Sequence, residues 1–209
     1  MRFIWGSIPP SRTLDARAAG WNQLRSVAPQ WAMAQAAAGM VLCLAVAGWA
    51  LKQAADHLPV GWFLVLLVSP AMLVPIHELL HAVGYGVDPR SSHLLTGIWP
   101  SHGVWFVLWD SPLRRNRVLL MLVAPLLALT VVPALLAVLL EDGARWTLAY
   151  LAAMHATLGV GDLLTFGRIL RQVTTGGWVH NSGWETFWTD ASGWPLPTRG
   201  PDESSSPAA

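Results

Sequence analysis

Charge is what this chain has least of. Of its 209 residues only 12% are Asp, Glu, Lys or Arg, about half the share of an ordinary soluble domain. Cysteine is nearly missing as well. Cys43 stands alone in an apolar run, which excludes a disulfide framework and a Cys-x-x-Cys metal site and leaves it the role of a buried thiol. The 13 basic and 12 acidic residues give a net charge of +1, so a strongly basic nucleic-acid binder is excluded. Residues 1–29 hold four arginines and no apolar core segment, so no cleavable secretory signal is expected. No internal repeat is visible.

What the chain does have is apolar length. Hydrophobic residues make up 54% of it and the mean hydropathy is +0.44. Crossing a hydrocarbon core takes about 20 residues of helix, and four stretches reach that: Gln30 to Leu51, Val60 to about Tyr85, Val118 to Leu140, and Trp146 to about Phe166. Trp31, Trp49, Trp62 and Trp146 fall near run ends, as in an aromatic belt. Eleven arginines lie before the first run, between the second and third, or after the fourth, whereas the two other connections hold only Lys52 and Arg145. That bias places both termini on the cytoplasmic side of the membrane.

The expected fold is therefore an all-α membrane protein of four transmembrane helices. A cytoplasmic arm over residues 1–29 precedes the membrane domain of residues 30–171, and Pro9, Pro10 and Pro29 break any long helix in the arm. A polar insert over 88–116 separates the second and third helices. Within it His93–Trp99, a turn at Pro100–Gly103, and Val104–Trp109 read as a small β-hairpin. A Trp-rich segment and then a Pro/Gly/Ser-rich, disordered tail occupy 172–209.

The second run carries the chemistry: His77-Glu78-Leu79-Leu80-His81. Ionisable groups at membrane depth are costly and persist where they pair, bind a metal or line a wet cavity. On a helix, His77 and His81 fall one turn apart on one face, so two imidazoles can converge on one ion. Glu78 is rotated by roughly 100°, which suits it to a water better than to the metal; the H-E-x-x-H spacing is that of zinc hydrolases. A pair of hydrogen-bonded core histidines is the plainer alternative. Zinc needs a third protein ligand and an open fourth position. Asp162 in the fourth run is the best candidate, at matching depth and flanked by Gly159 and Gly161; a structural aspartate is the alternative. His155 lies two turns away, about 10 Å along the axis, so it does not easily share the ion. A partner behind a ligand, an oxyanion stabiliser and a packing histidine all remain open for it. Pro70 and Pro75 free carbonyls upstream in the second helix, as an ordinary kinked helix also would. His57, His93, His102 and His180 lie in loops and read as solvated residues.

The set His77-Glu78-Leu79-Leu80-His81-Ala82, Ala124-Pro125 and Gly161-Asp162-Leu163 resembles the putative zincin peptidase family of small bacterial membrane proteins, itself similar to site-2 proteases. The resemblance implies an intramembrane zinc metalloendopeptidase in a bacterial cytoplasmic membrane. His77, His81 and Asp162 would hold Zn²⁺, Glu78 would be the catalytic base, and His155 would stand among the catalytic groups. The substrate would be a membrane protein or peptide, with the bilayer as partner and no nucleic acid. Two departures stand out: Gly161-Asp162-Leu163 lacks the proline of an Asn-Pro-Asp-Gly motif, and His155 replaces an upstream asparagine. The rival readings are a metal- or haem-binding protein using His77 or His81 with His155, and a catalytically silent scaffold.

Overall fold

The computed structural model describes residues 1–25, 29–55, 57, 60–102 and 104–190. The expected disordered tail from residue 191, Gly103 of the turn, and the side chains of Trp31 and His102 lie outside them.

Helix α1 (Pro29–Ala55) and helix α2 (Val60–Tyr85) come first, after two short strands, β1 (Arg2–Trp5) and β2 (Asn22–Gln23). Strands β3 (Leu94–Trp99), β4 (Val104–Trp109) and β5 (Leu113–Arg114) follow. Helix α3 (Arg115–Leu126) continues through one wide π-turn (Leu127–Val131) into α4 (Val132–Leu139). Helix α5 (Asp142–Gln172) and strands β6 (Trp178–Ser182) and β7 (Glu185–Thr189) complete the chain. Among the described residues, three stretches are long and apolar enough to cross a membrane: Ala37–Ala55, Arg115–Leu139 and Asp142–Gln172.

The molecule is mostly helical but not all-α. Two sheets stand at one end of the helices, one ordered β1-β3-β4 and the other β2-β7-β6-β5. Each takes a strand from the N-terminal arm, and β1 pairs with β3 in parallel, Phe3 opposite Thr96. Such pairing joins residues some ninety positions apart, so no local alternation announces it. The loop between β1 and β2 is tied down by Asp110, whose carboxylate accepts from Ser11 Oγ at 2.7 Å and from the Arg12 amide.

Packing explains which helices meet. Ala47, Ala50 and Ala54 of α1 are buried against α5, together with Leu66, Tyr150 and Ala153; small residues let membrane helices approach closely. A second core, including Tyr85, Val107, Met121, Leu122, Ile169 and Val179, locks the ends of α2, α3 and α5 onto the hairpin and onto β6. Outside these cores Val41, Leu42, Leu79, Val83, Val138 and Leu139 are exposed. Apolar surface of that extent on long helices suits contact with lipid.

Candidate metal centre

Helix α2 places His77 and His81 one turn apart, both buried, with their rings edge to face at 4.6 Å. Their Nε2 atoms are 3.0 Å from each other. Asp162 of α5 brings Oδ2 to 3.1 Å from His77 Nε2 and 3.2 Å from His81 Nε2. The three ligating atoms thus form a nearly equilateral triangle. Tetrahedral ligands at zinc's ordinary bond lengths stand about 3.3 Å apart.

The hydrogen-bond partners of these groups bear on whether the triangle suits a metal. His81 Nδ1 lies 3.0 Å from the carbonyl oxygen of Met121, which can only accept. Nδ1 therefore carries the hydrogen, and Nε2 of the neutral ring presents a lone pair. Asp162 Oδ2 is buried and, among the described residues, makes no hydrogen bond of proper geometry despite its two nitrogen neighbours. Lone pairs that face one another at 3 Å repel unless a cation lies between them. Two imidazoles and one carboxylate are a donor set that suits Zn²⁺ with a position left open.

The Met121 carbonyl is available because of the sequence. An α-helical carbonyl at 121 would be bonded by the amide at 125, but residue 125 is proline. Gly84 completes the approach: a Cβ there would lie 2.8 Å from Met121 Cα, so only glycine lets α2 come this near α3. Pro70 acts in the same way. It leaves the Leu66 carbonyl without a helical partner, and that oxygen accepts from Tyr150 Oη at 2.9 Å and Ser69 Oγ at 2.8 Å. Each proline thus ties α2 to a neighbouring helix through a freed carbonyl.

His155 of α5 is fully buried and meets His77 from behind, its Nε2 3.0 Å from His77 Nδ1. Its other nitrogen is 2.7 Å from Thr130 Oγ1. Thr130 sits in the π-turn, where the following Pro133 supplies no amide for the Leu129 carbonyl and the helix widens. His155 therefore does not face the converging atoms; it reaches them only through the His77 ring. With Nδ1 of both rings protonated, the chain runs from His77 through His155 to Thr130 as final acceptor, and His77 Nε2 is left as a lone pair.

Glu78 stands beside this group, with a carboxylate oxygen within 4.8 Å of both histidines. Two carboxylates are thus near enough to be considered as the third ligand, and Asp162 is the closer. The Glu78 carboxylate instead lies toward the backbone amide of Val107 in β4. Tyr85 Oη donates to the Val107 carbonyl over a long 3.5 Å. Both backbone groups of Val107 point away from β3, so the outer edge of β4 faces the motif.

Other expected residues fall elsewhere. His93 is exposed, its Nδ1 bonded to the Asp110 carbonyl at 3.2 Å. His180, expected in a solvated loop, is instead 1% exposed in β6 against the edge of Trp21. Cys43 is only half-buried and lines an apolar groove of about 690 Å³ between α1, α4 and α5. Sequence reasoning missed Thr130, the Met121 carbonyl and the Val107 amide. For Met121 the signal was present, since Pro125 predicts an orphan carbonyl four residues upstream; for Val107 there was none, because the contact depends on tertiary placement.

No curated protein and no solved structure matches the chain. The profile of one family, described as putative zincin peptidase, matches residues 70–176 and so contains both histidines, Glu78, Pro125, Thr130, His155 and Asp162. With half of its length so matched, the chain belongs to the putative zincin peptidase family.

Proposed function

We propose that this protein is an intramembrane zinc metallopeptidase. The observation that carries the reading is the convergence of His77 Nε2, His81 Nε2 and Asp162 Oδ2 within 3.0–3.2 Å, with Glu78 alongside. These three would hold Zn²⁺, which when bound supplies Lewis acidity for the scissile carbonyl and acidifies a water. Glu78 takes the proton from the attacking water and returns it to the leaving amine. The Glu78 carboxylate lies beside the Val107 amide, while Met121 and the His155–Thr130 pair fix the two imidazoles. His155 is in this account a positioning residue, acting through His77.

The membrane setting follows from α2 forming a fourth span beside the three apolar stretches. The arginine bias then puts both termini and both sheets on the cytoplasmic side. A substrate segment would pair with the outer edge of β4 by strand addition. At Trp105, two residues from Val107, backbone groups face the same edge. Trp105→Pro should therefore cut cleavage while zinc stays bound; unaltered turnover would remove strand addition from the account. A haem ligated by His77 and His155 is disfavoured, because their facing nitrogens are 3.0 Å apart and leave no room for an iron between them.

Glu78→Gln tests the chemistry. The variant should retain zinc and lose a hundred- to ten-thousandfold in turnover, roughly the range for a lost general base. Turnover equal to wild type would contradict the role, and a silent scaffold would be the better description if cellular function also survived.

A further inference from the structure

We propose that the Arg168 end of α5 binds the phosphate of one anionic phospholipid, a site independent of the peptidase reading. A cavity of about 500 Å³ is lined there by Arg25, Arg168 and Arg171, with Leu163 and Leu164 as its apolar wall. No carboxylate lines it among the described residues. Nor does any of the three guanidinium groups make an ion pair or a hydrogen bond within them. Other arginines on this molecule do find acceptors: Arg115 donates to the Leu170 carbonyl at 3.2 Å, Arg145 to that of Leu140 at 2.9 Å, and Arg17 pairs with Glu185.

Two arginines at the end of a membrane helix are ordinary, since they favour the carbonyl end and an anionic surface. Arg25 is what makes this a built site. It comes from a separate segment and is pinned by the side chain of Gln172, whose Oε1 accepts from the Arg25 amide and whose Nε2 donates to the Arg25 carbonyl, both at 2.8 Å. The neighbouring Leu24 amide is held by the Thr186 carbonyl at 2.8 Å. Three positive charges are thus gathered by backbone contacts around one space, an arrangement that self-repels until an anion enters it.

The wall identifies the anion's source. Leu164, Arg168 and Arg171 share one face of α5, and Gly167 opens a notch between the leucines and the arginines, with nothing within 4 Å of where its Cβ would be. The leucines begin about 6 Å farther along the helix axis, toward the hydrocarbon. A ligand with a phosphate at one end and acyl chains at the other satisfies both parts. Free phosphate would leave the leucines unused.

Native mass spectrometry of the full-length protein, titrated with phosphatidylglycerol, tests the proposal. One saturable lipid is expected, with phosphatidylcholine binding far more weakly and millimolar inorganic phosphate failing to compete. Arg25→Gln should weaken binding by about fivefold and R25Q/R168Q/R171Q roughly a hundredfold, whereas Arg90→Gln, an exposed arginine outside the cavity, should not. A loss for Arg90→Gln equal to that for Arg25→Gln would reduce the effect to surface charge and overturn the site. Unchanged binding by Arg25→Gln would overturn it too, as would competition by inorganic phosphate alone. Arg25 lies outside the membrane helices, so its single variant remains informative should the triple variant fail to fold.

Discussion

His81 shows how little freedom the candidate centre leaves its side chains. One ring nitrogen is committed to a carbonyl that can only accept, and this sets the tautomer of the other without appeal to any metal. His77 depends instead on a relay that ends at a hydroxyl. Thr130→Val removes the final acceptor, and His155 Nδ1–H is then stranded in an apolar setting. Zinc affinity should fall by roughly ten- to a hundredfold, the usual effect of losing a partner behind a ligand. Thr130→Ser should restore it, which a purely packing role would not require. Isothermal titration with zinc separates these outcomes. His155→Ala should lower affinity similarly yet leave the pH profile of turnover with its Glu78 limb intact, as expected of a residue that touches no substrate.

At the scale of elements, prolines and glycines matter as much as ligands. Pro125→Ala would return an amide to the Met121 carbonyl, and His81 Nδ1 would then compete with the helix for that oxygen. The variant should bind zinc about tenfold more weakly while its thermal stability holds or rises; unchanged zinc affinity would refute the freed-carbonyl account. Gly84→Ala should act from the opposite helix. The added methyl meets Met121 Cα at 2.8 Å, so α2 must shift, at about 1–3 kcal/mol, and the hydrogen bond from His81 to the Met121 carbonyl breaks. The two histidines and Asp162 were legible in the sequence because metal-ligand spacing and matched depth are one-dimensional properties. The Pro125–Met121–His81 link was partly legible, since a missing amide can be read from a proline. The edge of β4 beside Glu78 was not, because alternation predicts a strand but not which neighbour its outer edge meets.

On the scale of the whole molecule, the helices were legible from apolar length and the β3–β4 pair from its turn, but the other strands and their joining into two sheets were not. The arm of residues 1–25 and the Trp-rich segment hold strands of two to five residues, too short and too dispersed to signal their pairing with each other and with the insert. Together they form a layer whose apolar side chains fix the ends of α2, α3 and α5. His180 gives that layer a pH dependence. Burial holds its imidazole below the ordinary value of 6.5, with the Asp110 carboxylate and nearby backbone groups opposing. The unfolded chain therefore takes up this proton more readily than the folded one. Stability is full above pH 6.5 and declines as pH falls below it. Melting temperatures from pH 7.5 to 5 should show this decline, and His180→Phe should flatten part of it; a variant with the same slope would assign the effect to other groups.

The central claim is that α2 and α5 together hold one zinc ion through His77, His81 and Asp162. Elemental analysis of the purified full-length protein beside Asp162→Ala tests it most directly. The account predicts one zinc per chain in the wild type and a marked loss in the variant after dialysis against a weak chelator. Equal zinc in both proteins would contradict it, since α5 would then contribute nothing to the site.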